Sequence, residues 1–432
     1  MPPRPRVAFV TYAMHCGGME TLLLRLGGYL KRHGCELEVL TTVQPGEWFG
    51  RWAELGIPAQ HIAGLEPGRL LAHPLHSRRV AAKLLEGRFD VLFLHHSLHA
   101  QASIARLPES AVVIPVLHND DDHIYQVGCS NPAAWNVAVA VSPKVADMAR
   151  QRAPGRPVIQ ISSGVDLPDA SLLQSRPSMS KALQLIFVGR LDHGQKGVMW
   201  LPDILEACKN QGIDARLSIV GDGPHREALQ QRLAALHLLD HTRYFRGITP
   251  ERVYDLLLEA HVLLMPSQYE GLPIALLESQ ACGCVPVVSH LPGTTDTAVT
   301  HGKTGLLVGA GDISGFANAV ATLYRNEQDW SRMSQAGYEN VRHRFSVEAM
   351  GAEYLLLIGR ALSGGYPLPR LRSSQPKLNL ELFSWRDLLP RPLRQLWGRG
   401  RAWLAKFSEA TEDSSLLQVK PVAGSKQTIS SD

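Results

Sequence analysis

Two glutamates and two upstream cations carry most of the chemistry that this chain can be asked to do. Glu270 and Glu278 lie in Met265-Pro-Ser-Gln-Tyr-Glu-Gly-Leu-Pro-Ile-Ala-Leu-Leu-Glu-Ser-Gln-Ala-Cys-Gly-Cys-Val-Pro-Val-Val-Ser289. Ile274, Leu277 and Ala281 recur at helical spacing between Pro273, which suits the first turn of a helix, and Gly283, which stops it. Glu270 therefore precedes the helix, and Glu278 lies about 1.4 turns inside it. The N–H groups of Gly271 and Leu272 stand at the helix N-terminus, a place that favours phosphate. Carboxylates on either side suit sugar hydroxyls. Upstream, Gly189-Arg190-Leu-Asp192-His-Gly194-Gln-Lys196-Gly197 follows an apolar run and sets two cations at its end. Arg190 and Lys196 so placed can bind a diphosphate and stabilise its charge as it leaves. A diphosphate with a hydroxyl-bearing ring at each end satisfies both sets of groups, and a nucleotide-sugar is such a molecule.

Groups this far apart in sequence need a scaffold that delivers loop after loop to one edge. Apolar runs at 6–12, 36–41, 90–95, 112–118, 136–142 and 157–162 read as buried strands joined by helices or loops. A second series follows at 185–189, 217–221, 243–245, 262–265, 285–289 and 305–308. Repeated βα alternation implies parallel sheets covered on both faces. The expected fold class is α/β, with two doubly wound Rossmann-like domains facing a cleft and a C-terminal extension. Residues 1–166 form the first domain, completed by an amphipathic helix at 346–362; 167–182 is a polar linker, 183–345 the second domain, and 363–432 the extension. Ligands in such sheets bind beyond the carboxyl ends of the strands, where His95, His118, Ser142, Gly164, Arg190, Asp222 and Glu270 all fall. Cys16-Gly17-Gly18-Met-Glu20 opens the first helix after the first strand, which suits either a phosphate-approach loop or a tight βα turn.

Composition narrows the function classes. Apolar residues make up 45% of the 432-residue chain and the net charge is only +4. Nine Lys/Arg against two acids between Arg370 and Lys406 account for all of that excess, so the two domains are not a nucleic-acid-binding core. The six cysteines are scattered without a paired Cys-x-x-Cys, as expected of reduced thiols rather than a zinc site. No Asn-x-Ser/Thr sequon, signal-peptide core or membrane-spanning apolar run occurs. The expectation is a cytoplasmic protein, peripheral on the inner face of the cell membrane if the basic, Trp-containing segment 385–407 binds anionic lipid. That segment fits equally a helix packed on the domains or on a partner. The polar stretch from Glu409 reads as disordered.

Taken in order, Gly-Arg-x-Asp-…-Lys-Gly at 189–197, Ile219-Val-Gly-Asp-Gly-Pro-His-Arg226, Tyr244-Phe-Arg-Gly247 and Glu270-x7-Glu278 resemble one family, the retaining GT-B glycosyltransferases of family 4 (glycosyl transferases group 1). Gly17-Gly18-Met-Glu20, His118, Ala140-Val-Ser142 and Gly164-Val-Asp166 occur in the order that the family shows, and the resemblance covers residues 6–360. It implies an acceptor-side first domain, a nucleotide-sugar-binding second domain and a hexosyltransferase; the basic, Trp-containing tail is what points to a surface-glycan or lipid-linked saccharide acceptor. By the resemblance, Arg190 and Lys196 contact the donor diphosphate, which is UDP- or GDP-linked. Glu278 takes the ribose hydroxyls, Glu270 lies beside the transferred sugar, and Gly271 and Leu272 offer N–H groups. Gly17 and Gly18 close on the phosphates from the opposite domain, His118 sits near the anomeric centre, and Arg246 lies near the base. No cofactor or metal is implied. The sequence departs from the family at Ser163, where Asn is common, and at Asp296, where Glu is common.

Three other signals are set aside. His95-His96-Ser-Leu-His99 and Asn119-Asp-Asp-Asp-His123 carry metal-ligand residue types but read better as an uninvolved polar loop or as acceptor-contact residues. Gly302-Lys303-Thr304 lacks the first glycine of an ATP-binding loop, because Thr297 stands there. Two alternative functions share the expected fold: a nucleotide-sugar epimerase, and a sugar-nucleotide-binding subunit without turnover. The Glu270-x7-Glu278 spacing argues for transfer.

Overall fold

Parallel strands covered on both faces read as continuous apolar runs, and Val7, Ala8, Phe9 and Val10 are all fully buried. The computed structural model describes residues 4–64, 72–174, 179 and 182–367. In chain order the strands are β1 (Arg6–Thr11), β2 (Glu36–Thr41), β3 (Ala59–His61), β4 (Val91–His95), β5 (Val112–Leu117), β6 (Ala138–Ala140) and β7 (Val158–Gln160). There follow β8 (Leu183–Val188), β9 (Ala215–Val220), β10 (Thr242–Phe245), β11 (Val262–Met265), β12 (Val285–Ser289) and β13 (Leu306–Val308). They form a seven-stranded sheet, β3-β2-β1-β4-β5-β6-β7, and a six-stranded sheet, β10-β9-β8-β11-β12-β13. Every pairing is parallel. The architecture is thus two doubly wound α/β units, as expected from the sequence.

Strand order reverses beside β1 in the first sheet and beside β8 in the second. Such switch points open crevices at the carboxyl ends of the flanking strands. In the first sheet Thr11 of β1 is level with His95 of β4, and in the second Leu263 of β11 is level with Ile186 of β8. The loops that leave β8 and β11 carry Arg190, Lys196 and Glu270. Those leaving β1, β4 and β5 carry Gly17, Gly18, His96 and His118.

A single buried apolar cluster runs from Leu92 and Leu117 in the first domain through Leu272, Leu276 and Leu277 to Leu263 and Cys284 in the second. The two sheets lie within one compact unit. The helix Val347–Leu362 leaves the second domain and brings Met350, Tyr354, Leu357 and Ile358 into one buried cluster with Val7, Phe9, Leu26 and Trp52 of the first. Ser346 caps its start, accepting from the Ala349 N–H at 3.2 Å.

The structure differs from the sequence reading in places. β3 is an additional edge strand of three residues with half-exposed side chains. β6 and β7 are each three residues long, shorter than their apolar runs. Pro273 is the N-cap of the helix Ile274–Ala281 rather than part of its first turn, with ψ 120°. The span expected as a linker contains a short helix, Ala170–Gln174. Most of the C-terminal extension, including 385–407 and the stretch from Glu409, lies outside the described residues. No helix among the described residues is long and apolar enough to cross a membrane. All six cysteines are free thiols, and only Cys16 is exposed.

Gly351 sets how closely the last helix approaches the first domain. A Cβ there would meet the Tyr29 ring at 2.2 Å. Ala gains about 1 kcal/mol over Gly in a helix interior, but so short a contact with a packed ring forces a shift, and overpacking costs about 1–3 kcal/mol or more. The clash wins: Gly351→Ala is expected to lower the urea midpoint at unchanged m-value, and a raised midpoint would show that Tyr29 yields freely.

Candidate active site

The loop after β8 folds so that its two cations face different ways. Asp192 caps the short turn His193–Lys196, accepting from the Gly194 N–H at 3.0 Å. Gly197 closes the turn at φ 63°, and a Cβ there would lie 2.0 Å from the Pro266 carbonyl oxygen. Glycine is thus required both by handedness and by the close approach of the β11 loop. Gln268 fastens that loop further, donating its N–H to the Gln195 carbonyl at 2.7 Å and its side-chain amide to the His193 carbonyl at 2.7 Å. Lys196 Nζ then meets Glu270 Oε1 at 2.6 Å, with both side chains largely buried. Ser267 donates its hydroxyl to the same oxygen at 2.7 Å. Arg190 stays at the surface, 58% exposed, between Asp192 and Gln195.

Gly271 lies directly on the first domain. A Cβ there would sit 2.1 Å from the His118 carbonyl oxygen and 2.8 Å from the Asn119 Cα. The sequence reading assigned this glycine to N–H donation; the close backbone approach is a second and independent reason for it. Leu272 is buried in the shared apolar cluster. Gly18 makes a similar approach one helix away, since its Cβ would meet Ile274 Cγ1 at 3.3 Å. Gly17 is the extended N-cap of the helix Gly18–Arg32. Gly18 therefore abuts the helix that bears Glu278, whereas a Cβ on Gly17 would meet the Glu20 carboxylate of its own helix.

His118 follows β5 and shares a 2.9 Å hydrogen bond between its Nε2 and Nδ1 of His95. His95 is completely buried, edge-on to Phe9. Burial, with His118 adding, holds His95 well below the ordinary histidine range. Burial, with His96 adding, holds His118 down at about 4. Burial and His123 hold His96 down at about 4, against Asp121. His96 itself is in the left-handed region at φ 55°, a conformation that a non-glycine residue adopts at a cost. The three rings are neutral near pH 7, so His118 can donate or accept one hydrogen bond but brings no charge.

Glu278 is not an open carboxylate. Its Oε1 accepts from Arg25 Nη2 at 2.8 Å, with side-chain exposures of 9% and 6%. Arg25 Nε donates to Asp166 Oδ2 at 2.7 Å, and its Nη2 also reaches the Tyr254 hydroxyl at 3.1 Å. Burial opposes the charge on both partners: it pushes the Glu278 carboxyl up against the pull of Arg25, whereas at Arg25 Glu278, Tyr254 and Asp166 outweigh it and hold the guanidinium charged. Arg246 is paired with Asp222 at 3.3 Å, both half exposed. The loop after β9, which carries Asp222, adjoins the cation loop, since a Cβ on Gly221 would lie 1.9 Å from the Gly189 carbonyl oxygen and Leu191 donates to the Asp222 carbonyl at 2.8 Å.

The structure thus brings Lys196 to Glu270, Gly271 to His118, and Gly18 to the Glu278 helix. It leaves Arg190 on Asp192 of its own loop and Arg246 on Asp222 of the loop after β9. Arg25, Tyr254 and Ser267 were missed from sequence. The signal for Arg25 was present, as the one charge inside Leu22-Leu-Leu-Arg-Leu26. Among the described residues no group of three or more His, Cys, Asp or Glu is arranged to hold a metal ion.

The histidine cluster makes a pH prediction. The unfolded chain protonates these rings near pH 6.5, whereas folded His118 and His96 do so only near 4. Between those values the unfolded state binds more protons, so stability present above about pH 6.5 is lost as pH falls toward 4. His118→Gln removes one such site and should flatten the pH dependence of unfolding free energy by about 1.4 kcal/mol per pH unit between about pH 4.5 and 6. Urea titrations across that range measure the slope; an unchanged slope would mean that His118 protonates in the folded protein.

Comparison with known proteins bears on this arrangement. A phosphatidyl-myo-inositol mannosyltransferase of Mycobacterium leprae is 29% identical over 343 residues, covering 76% of this chain and 88% of the relative. An N-acetyl-alpha-D-glucosaminyl L-malate synthase of Bacillus anthracis is 23% identical, covering 78% and 92%. The crystal structure of Anabaena HepE in complex with UDP and glucose superimposes with a TM-score of 0.70 at 17% identity, over 82% of this chain and all of the other, which speaks to the fold. Glycosyltransferase Family 4 matches residues 16–168, and Glycosyl transferases group 1 matches residues 172–340. Between them they take in every described strand except β1, and the chain belongs to this family of glycosyltransferases.

Proposed function

We propose that this glycosyltransferase moves a hexosyl group from a UDP- or GDP-linked donor to a saccharide or lipid-linked acceptor of a surface glycan, with retention at the anomeric carbon. The observation that carries the reading is the meeting of Lys196 and Glu270 at the switch point of the second sheet, beneath the His118 backbone of the first. The relatives support the substrate classes: one is named for mannosyl transfer to phosphatidyl-myo-inositol, and HepE holds UDP and glucose.

In this reading the acceptor hydroxyl oxygen bonds to the anomeric carbon on the face from which the diphosphate leaves. The bond from that carbon to the phosphate oxygen breaks, its electrons stay with the diphosphate, and that oxygen takes the acceptor's proton. Arg190 and Lys196 offset the growing charge. Glu270 holds hydroxyls of the transferred sugar and Glu278 those of the ribose. Gly17, Gly18, Gly271 and Leu272 bring backbone N–H groups to phosphate and sugar, and Arg246 lies toward the base. Neutral His118 accepts or donates at the sugar without competing for the proton. The apolar domain contact excludes water, limiting donor hydrolysis. No metal is required.

Arg190 is exposed, so Arg190→Ala should leave the fold intact while cutting turnover about 100- to 1,000-fold, the cost of one preorganised donor to a developing anion. Lys196→Ala should cut turnover similarly and also lower the melting temperature, because it strands Glu270. Lys196→Ala combined with Glu270→Gln should recover stability without recovering turnover. The assay follows released UDP or GDP by mass spectrometry with matched sugar donors and a panel of saccharide and polyprenyl-linked acceptors. Near-normal turnover in both single variants would sink the assignment, and sugar interconversion without an acceptor would replace it with epimerisation.

A further inference from the structure

Arg25 belongs to the first domain, yet its strongest partner is in the second. It sits two turns into the helix Gly18–Arg32, on the face that buries Leu22, Leu26 and Tyr29. A guanidinium there is costly unless it is paired and hydrogen-bonded. The pairing is dense: Glu278 Oε1 at 2.8 Å, Asp166 Oδ2 at 2.7 Å and the Tyr254 hydroxyl at 3.1 Å. Tyr254 in turn donates to the Asp166 carbonyl at 3.0 Å. Glu278 and Tyr254 lie in the second domain, and Asp166 follows the last strand of the first. Arg25 Nη1 is nevertheless buried without an acceptor among the described residues, although buried donors are nearly always satisfied.

We propose that Arg25 is a positioning residue for the donor, fixing the Glu278 carboxylate from the opposite domain so that its ribose-binding face is set only when the two domains are in contact. The proposal rests on the reading that Glu278 takes the ribose hydroxyls. With Oε1 committed to Arg25, a hydroxyl pair arriving at Glu278 meets a carboxylate whose orientation is already paid for by the first domain, as preorganisation requires. A ribose oxygen there is also an acceptor of the kind Nη1 lacks. The same helix carries Gly17 and Gly18 at its start, so one rigid element would address the diphosphate and, through Arg25, the ribose. Donor affinity and domain contact are thereby linked.

The test is calorimetric titration of the full-length protein with UDP, GDP and ADP and with their 2′,3′-dideoxy forms. Wild type should prefer one ribonucleoside diphosphate over its dideoxy form by about tenfold or more, as for hydrogen bonds to a charged group. Arg25→Met should remove about tenfold of that affinity for the ribo form, with under about twofold change for the dideoxy form. Arg25→Lys should lose less but with the same selectivity, and it carries the comparison if the Met variant does not fold. Adding Glu278→Gln to either variant should cost little more. Equal losses for ribo and dideoxy forms, or no loss at all, would overturn the role of Arg25. Absence of ribo preference in wild type would instead defeat the ribose reading of Glu278, and the proposal with it.

Discussion

A carboxylate taken out of water must find a cation or lose its charge, and both glutamates of the Glu270–Glu278 stretch find theirs outside their own loop and helix. Glu270 is met by Lys196 from the loop after β8, at 2.6 Å. Glu278 is met by Arg25 from the first domain, at 2.8 Å. These two pairs fix what the cleft can be. The first locks the two switch-point loops of the second sheet together, and the second ties that sheet's helix to the facing domain. The remainder of the site, from Gly271 on the His118 carbonyl to Gly18 on Ile274, is backbone drawn to within contact distance by those ties and by the apolar cluster beneath them.

The glycines show why charge alone would not suffice. At Gly271 and Gly197 an added Cβ would overlap a carbonyl oxygen of another segment. Any other residue would hold those segments apart by an ångström or more, and the donor-side groups with them. Position at that tolerance separates efficient from poor catalysts. The last helix contributes in the same sense: by returning to the first domain, with Gly351 against Tyr29, it makes the second domain's end part of the first domain's core.

Much of this was legible in sequence because the signals are local. Buried parallel strands are continuous apolar runs, so twelve of the thirteen strands among the described residues could be read directly; β3, short and half exposed, gives no such run. The loops that carry Arg190, Lys196 and Glu270 were legible as loops because each is a turn whose glycines and charges are adjacent. Arg25 was not, since nothing near it in sequence says that its partners are Asp166, Tyr254 and Glu278. The pairing of Arg246 with Asp222 and the second duty of Gly271 were hidden for the same reason. Long-range contact decides them, and spacing does not encode it.

The same geometry bears on what Glu270 can do. A nucleophilic carboxylate needs an accessible, weakly solvated oxygen with its electron density unspent. Glu270 is almost fully buried, and its Oε1 accepts both from Lys196 and from Ser267. Those bonds draw density away and fix the group's orientation, which suits a hydrogen-bond acceptor for sugar hydroxyls better than an attacking group. Nor does the pairing remove Lys196 from service. An ammonium has three donors, and one bond to Glu270 leaves two that a phosphate can accept. In the proposed reaction Lys196 would span carboxylate and diphosphate at once, while exposed Arg190, which meets Asp192 and Gln195 among the described residues, would be the cation that changes partners as the leaving group develops its charge.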